Sequence, residues 1–88
     1  MLKHFKDEHG ATYHLKALGY FGSYARNEAK ADSDVDVVFT TDRPDLLLTA
    51  MLKQDLEVLL SRPVDVIRLR ESMNPRLKFR IERDAHYV

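Results

Sequence analysis

The length, composition and charge of the chain exclude several classes of protein before any motif is considered. Its 88 residues suffice for one small domain, so we expect a single domain over residues 1–88 with a thin core. A hydrophobic content of 44% argues against disorder, and the lack of cysteine excludes disulfides and thiolate zinc sites. No apolar stretch reaches the roughly 20 residues of a membrane span, and no signal-peptide core is present at the start. We therefore expect a cytoplasmic protein with no membrane partner.

The first third of the chain alternates predicted helices and strands. Met1 to His9 is predicted to form a short helix that ends at Gly10. Leu15 to Phe21 has the length and apolar content of a strand. This strand leads into a Gly22-Ser23 turn, and Ser23 is a favourable cap for a short helix over Ser23 to Ala29.

The middle of the chain contains the clearest strand and the longest helix. Asp34 to Thr40 alternates V-x-V-x-F, which is typical of a strand with one buried face. The next helix is predicted to open at Asp42-Arg43-Pro44, because proline suits a first-turn position. It continues to about Ser61, and its apolar face consists of leucines at helical spacing: Leu48, Leu52, Leu56, Leu59 and Leu60.

The last third adds one strand and one helix. Arg62-Pro63 ends the long helix, and Val64 to Leu69 is predicted to form a third strand. Asn74-Pro75 starts a final helix with Leu77, Ile81 and Ala85 on its inner side. The order α-β-α-β-α-β-α predicts an α/β fold, a small sheet with helices packed on it.

Three aspartates in the predicted strands are the first candidates for chemistry. Asp34 and Asp36 share one face of their strand, about 7 Å apart, where two carboxylates repel each other. A divalent cation such as Mg²⁺ removes that repulsion. Asp65 lies inside the next apolar strand and joins the cluster if the two strands are neighbours; three such acids suit a two-metal site. The alternative is that these acids form the solvated face of an edge strand.

The Gly22-Ser23 turn favours the metal-site interpretation. Glycine lets the backbone approach a ligand closely, and a serine at a helix start offers both a hydroxyl and an N–H. Both groups suit an anion such as phosphate. A phosphate-binding turn shortly before a metal-binding pair is the combination that nucleotide chemistry requires.

These motifs resemble those of a known group of enzymes. G-S-x-x-R followed by S-D-x-D in a strand is similar to the signature of the polymerase-beta-type nucleotidyltransferase superfamily. The compact form F-G-S-Y-A-R-N-E-A-K-A-D-S-D-V-D-V-V-F resembles its MNT (minimal nucleotidyltransferase) family. The resemblance covers nearly the whole chain, and it implies a small mixed sheet flanked by helices.

The resemblance also implies roles for individual residues. Gly22 and Ser23 would bind the triphosphate, and Arg26 would either contact phosphate or form a structural salt bridge. The acids Asp34, Asp36 and Asp65 would ligate two Mg²⁺ ions, and Asp65 would help to deprotonate the acceptor hydroxyl. This sequence departs from the family at Asn27, where glycine usually follows the arginine.

Members of the MNT family commonly act as antitoxins of HEPN-domain RNase toxins. The implied reaction is transfer of AMP from ATP to a tyrosine hydroxyl of that toxin. Two alternatives stay open: an antitoxin that neutralises its partner by binding alone, and nucleotidyl transfer to a small molecule or an RNA end.

Two other sets of residues point to no site. The histidines are scattered without the spacing of metal ligands: His4, His9, His14 and His86. The basic residues near the end of the chain are not interleaved with aromatic residues beyond Phe79, and the net charge is zero: Arg76, Lys78, Arg80 and Arg83. We therefore expect no direct nucleic-acid binding.

Overall fold

The computed structural model describes residues 2–22 and 34–88. Their elements follow in the order α1 (Leu2–Tyr13), β1 (Leu15–Phe21), β2 (Val35–Thr41), α2 (Leu46–Leu60), β3 (Val64–Arg68), α3 (Pro75–Asp84) and β4 (His86–Tyr87). The strands form one sheet in the order β3-β2-β1-β4, with β2 antiparallel to β1 and parallel to β3. The predicted α/β fold with a small mixed sheet is confirmed. The helix predicted over Ser23 to Ala29 lies outside the described residues.

Helix α1 continues past Gly10 to Tyr13, so the predicted end at Gly10 is wrong. Tyr13 is buried and stacks on Phe5, with ring centroids 6.2 Å apart. Its hydroxyl donates a hydrogen bond to the carboxylate of Asp55 in α2. These contacts favour the additional helical turn, and the chain leaves the helix at His14, which has a φ of 55°.

Helix α2 begins later than its proline suggests. The Asp45 side chain caps the helix, accepting hydrogen bonds from the N–H groups of Leu47 at 2.8 Å and Leu48 at 3.1 Å. Pro44 therefore precedes the cap, and its predicted first-turn position is wrong. The end of the helix agrees with prediction, because Ser61 takes up a left-handed conformation there.

Helix α3 confirms the proline rule at its own start. Pro75 is the first helical residue, and the Asn74 side chain accepts hydrogen bonds from the N–H groups of the next turn. The short strand β4 was not predicted from sequence. It pairs with β1 at Gly19, where an added Cβ would lie 2.5 Å from the carbonyl oxygen of His86.

Two hydrophobic clusters lie on opposite faces of the sheet. The larger cluster packs α1 and α2 against the face predicted for Val35, Val37 and Phe39, and all three are buried there. The smaller cluster packs α3 against the other face and contains Phe21, Val38 and Ile81, with Leu77 and Ala85 around them. The predicted inner side of the last helix is thereby confirmed. No helix within residues 2–22 and 34–88 has both the length and the apolar content to cross a membrane.

Candidate functional site

Strands β2 and β3 bring two of the predicted acids next to each other. The parallel register pairs Val35 with Val64 and Asp36 with Asp65. Paired residues of neighbouring strands project to the same face of a sheet. Asp36 and Asp65, which are 29 positions apart in the chain, therefore lie side by side on the α3 face.

The register is fixed by hydrogen bonds at both ends of the pair of strands. At the start, the N–H of Val35 donates to the carbonyl oxygen of Pro63 at 3.0 Å. At the end, the N–H of Leu69 donates to the carbonyl oxygen of Phe39 at 2.9 Å. A slip by one residue would turn Asp65 to the buried face, so the register and the site depend on each other.

Strand β2 lies inside the sheet, between β3 and β1. The alternative of an edge strand is therefore wrong for Asp36, whereas Asp65 does lie on β3, at the edge of the described sheet. The α3 face of β2 is also not uniformly polar, because Val38 follows Asp36 on that face and is fully buried under α3. The aspartates thus occupy one end of a face whose other end is core.

Gly22 lies directly against the carboxylate of Asp36. It ends β1 with a φ of 73°, a conformation that glycine adopts without strain. A Cβ at this position would lie 3.2 Å from Cγ of Asp36 and would overlap its Oδ2. The glycine therefore provides the space in which the Asp36 carboxylate sits.

The structure gives less information about the other predicted site residues. Asp34 is exposed and directly precedes β2. Ser23, Arg26 and the unusual Asn27 lie outside the described residues. In the described part of the chain, no three carboxylate, imidazole or thiolate side chains form a group able to hold a metal ion. The three-acid metal centre therefore stays a prediction. The register between β2 and β3 accounts for the placement of Asp36 beside Asp65.

The residues at this end of the sheet fit a hard cation by their chemistry. Asp36 and Asp65 offer carboxylate oxygens on adjacent strands, and Mg²⁺ prefers oxygen ligands and is held by one or two carboxylates plus substrate phosphates. The Asp36 carboxylate lies against Gly22 of the turn, in space that a Cβ there would take.

Sequence reasoning missed one carboxylate that contacts this region. Oε2 of Glu57, in α2, accepts a hydrogen bond of 3.2 Å from the N–H of Val64, the residue before Asp65. A glutamate on a leucine-rich helix carries no signal of such a contact, because its partner is a backbone group of the following strand.

The basic segment around α3 is partly neutralised by its own acids. Nζ of Lys78 lies 2.8 Å from Glu71 and 4.0 Å from Glu82, and Nε of Arg83 lies 2.9 Å from Asp84. The hydrogen bond from Lys78 lowers the pKa of the Glu71 carboxyl. These pairs are exposed and weak, but they reduce the positive charge that an anion would meet.

A cavity of about 600 Å³ lies on the opposite face of the sheet from the aspartates. Its described lining residues are Leu2, Lys3, Tyr20, Val35, Leu60, Arg62 and Val88. Val35 belongs to the α1–α2 face, whereas the carboxylates lie on the α3 face. The cavity is therefore separate from the carboxylate site.

Comparison with known proteins covers the whole chain. Residues 1–88 match the family model described as a nucleotidyltransferase domain. A candidate protein adenylyltransferase of Methanocaldococcus jannaschii is 37% identical over 89 residues, which cover 100% of this chain and 91% of that protein. The protein adenylyltransferase MntA of Thermococcus cleftensis is 36% identical over 84 residues, 94% of this chain and 84% of that protein.

Among solved structures, the chain is similar to one chain of a complex between a tri-AMPylated Shewanella oneidensis HEPN toxin and an MNT antitoxin. The TM-score is 0.65, and the match covers 99% of this chain and 71% of the matched chain. At 20% identity, this likeness establishes a shared fold.

Proposed function

Because the chain belongs to the nucleotidyltransferase domain family, we propose that it is a Mg²⁺-dependent protein adenylyltransferase. In this proposal it transfers AMP from ATP to a tyrosine hydroxyl of a HEPN-domain RNase toxin and acts as the antitoxin. Its relatives named as protein adenylyltransferases support the reaction class. The fold that it shares with an antitoxin bound to an AMPylated HEPN toxin supports the choice of partner.

One observation carries the proposal: the parallel register that pairs Asp36 with Asp65, beside a glycine that makes room for Asp36. Two carboxylates side by side on neighbouring strands repel each other unless a cation or a proton lies between them. A pair of carboxylates that can share a divalent cation suits a nucleotidyl-transfer site.

The proposed reaction breaks a phosphoanhydride bond of ATP and forms a phosphoester bond to tyrosine. The tyrosine oxygen attacks the α-phosphorus of ATP, the new P–O bond forms, and the bond to the bridging oxygen of the β-phosphate breaks, so that pyrophosphate leaves. The phenolic proton passes to Asp65. Asp34 and Asp36 would hold Mg²⁺, which when bound supplies positive charge to the phosphates. Backbone at Gly22 and the hydroxyl and N–H of Ser23 would orient the triphosphate.

The experiment combines the purified chain with a HEPN-domain protein as candidate partner, ATP and Mg²⁺. We expect the intact mass of the partner to rise by one or more AMP moieties, and fragmentation to locate them on tyrosine. Asp36→Asn should slow the transfer about 100-fold or more, because it removes a carboxylate that would hold Mg²⁺ at the phosphates. Asp42→Asn is the matched control, since Asp42 follows the far end of β2 and pairs with Lys16 at 3.6 Å. An unmodified partner would refute the proposal.

The same variants separate catalysis from binding alone. In cells that express the toxin, the proposal predicts that an Asp34→Asn/Asp36→Asn double variant no longer restores growth. If the double variant restores growth and the partner carries no AMP, the antitoxin acts by forming a complex, and the adenylyltransferase assignment is wrong.

A further inference from the structure

The first residue of β3 has a backbone group that the sheet does not satisfy. The N–H of Val35 donates to the carbonyl oxygen of Pro63, so this carbonyl faces β2. Backbone groups alternate in direction along a strand, and the N–H of Val64 therefore points away from β2, towards the outer edge of the sheet. Val64 is only 1% exposed. Its N–H consequently needs a protein partner, because a buried donor without an acceptor is costly.

Glu57 provides that partner from the last turns of α2. Its Oε2 accepts the hydrogen bond from the Val64 N–H at 3.2 Å, and its backbone oxygen accepts one from Ser61 at 2.9 Å. One residue therefore holds both the end of α2 and the start of β3. The connection between them, residues 61–63, is fixed at its two ends.

We propose that Glu57 is a positioning residue for Asp65, and this inference rests on the proposed function. Asp65 follows Val64 directly and is set opposite Asp36 by the β2–β3 register. Within residues 2–22 and 34–88, β3 pairs with β2 alone, so its position along β2 relies on the ladder and on this anchor from α2. Loss of the anchor lets the start of β3 move, and Asp65 moves with it.

Three substitutions of Glu57 separate hydrogen bonding from charge and from bulk. Glu57→Gln keeps an acceptor oxygen at the same reach and loses the charge. Glu57→Asp keeps the charge but is one methylene too short to reach Val64. Glu57→Ala loses both. If the hydrogen bond positions Asp65, Glu57→Gln should keep its kcat and its Mg²⁺ requirement within about threefold of wild type. Glu57→Asp and Glu57→Ala should lose about 10-fold in kcat and need about 10-fold more Mg²⁺ for half-maximal rate, which is the effect expected when a contact that supports a metal ligand is lost.

Asp55→Asn is the matched control on the same helix. Asp55 also accepts a hydrogen bond through its carboxylate, but from Tyr13 of α1 rather than from β3. This variant weakens the hydrogen bond between α1 and α2, because it removes the charge of the acceptor, and it does not touch the start of β3. It should therefore leave the Mg²⁺ dependence unchanged, and the comparison shows whether a loss at Glu57 reflects general destabilisation.

Two measurements on ¹⁵N-labelled full chain do not depend on turnover. Hydrogen exchange of the Val64 amide should be slow in wild type, Glu57→Gln and Asp55→Asn, and fast in Glu57→Asp. Mn²⁺ should broaden the amide signal of Asp65 in wild type and in Glu57→Gln. In Glu57→Asp, the same broadening should require about 10-fold more Mn²⁺.

The outcomes distinguish this inference from the proposed function. If no AMP is transferred by wild type, the proposed function fails, while the exchange and Mn²⁺ results still decide on Glu57. The positioning role is overturned if Glu57→Asp keeps wild-type Mn²⁺ broadening at Asp65, or if Glu57→Asp and Asp55→Asn give the same Mg²⁺ dependence. It is also overturned if Mn²⁺ leaves Asp65 of wild type unaffected.

Discussion

Gly22 and Asp36 depend on each other at the candidate site. The positive φ of Gly22 turns the chain out of β1, and the missing Cβ leaves the volume that the Asp36 carboxylate occupies. Any other residue at position 22 has two costs, one in backbone strain and one in displacement of the carboxylate. The backbone strain lowers the stability of the fold, and the displaced carboxylate lowers the rate of the proposed reaction.

Gly22→Ala is expected to impair transfer more than it impairs folding. The left-handed conformation should cost about 1–2 kcal/mol in the free energy of unfolding, which urea denaturation measures. Displacement of Asp36 by about 1 Å should slow AMP transfer about 100-fold.

Gly10→Ala is the control for this variant. Gly10 lies inside α1, and its added Cβ would meet only Cγ of Lys6 at 3.9 Å. This substitution should raise the free energy of unfolding by about 0.5–1 kcal/mol and leave transfer unchanged. Equal transfer rates in wild type and Gly22→Ala would contradict the account of the glycine.

The sequence pointed to the residues of the candidate site more readily than to the contacts around them. Asp36 and Asp65 were identifiable because a carboxylate inside an apolar strand is unusual. Their direct pairing required the register, which depends on hydrogen bonds between segments far apart in the chain. Glu57 was not predictable, since its partner is a backbone N–H that becomes buried only in the fold.

Among the elements, α1 and α2 are joined by a hydrogen bond from Tyr13 to Asp55. Burial, then this hydrogen bond and the Asp55 charge, raise the pKa of Tyr13 from 10.0 to about 12. The folded state thus favours the protonated phenol. Its contribution to stability is fully present below pH 10 and is lost as the pH rises from about 10 to about 12.

Tyr13→Phe should reveal this contribution as a difference between two stability curves. Below pH 9, the variant should be less stable by about 1 kcal/mol, because it lacks one partly buried hydrogen bond. Above pH 10 the gap should close, since the phenylalanine has no proton to lose. Urea denaturation of both proteins across this range tests the prediction, and a gap that stays constant would refute it.

The helices and strands also show which structural features sequence patterns predict and which they do not. Length and apolar content predicted β1 with its observed bounds, and alternation predicted β2 to within one residue, because a buried face requires apolar side chains. The end of α1 was wrong because tertiary contacts of Tyr13 outweigh the weak stop at Gly10. Two-residue β4 has too few residues for any pattern, and it forms because β1 provides an unpaired edge and Gly19 provides space.

In the molecule as a whole, the two faces of the sheet have different roles. The α1–α2 face holds the larger core and supplies stability. The α3 face has core residues at one end and the carboxylates of Asp36 and Asp65 at the other, where we propose that the chemistry takes place. The proposed acceptor tyrosine comes from a partner, which would approach this carboxylate end.

The most direct test of nucleotidyl transfer at this site is label transfer from ATP to the HEPN-domain partner. ATP labelled at the α-phosphate should label the partner, and ATP labelled at the γ-phosphate should not. The α-label should be lost with Asp36→Asn and retained with Asp42→Asn. Label from the γ-phosphate, or equal α-label with Asp36→Asn and wild type, would contradict the assignment of Asp36 and Asp65 to adenylyl transfer.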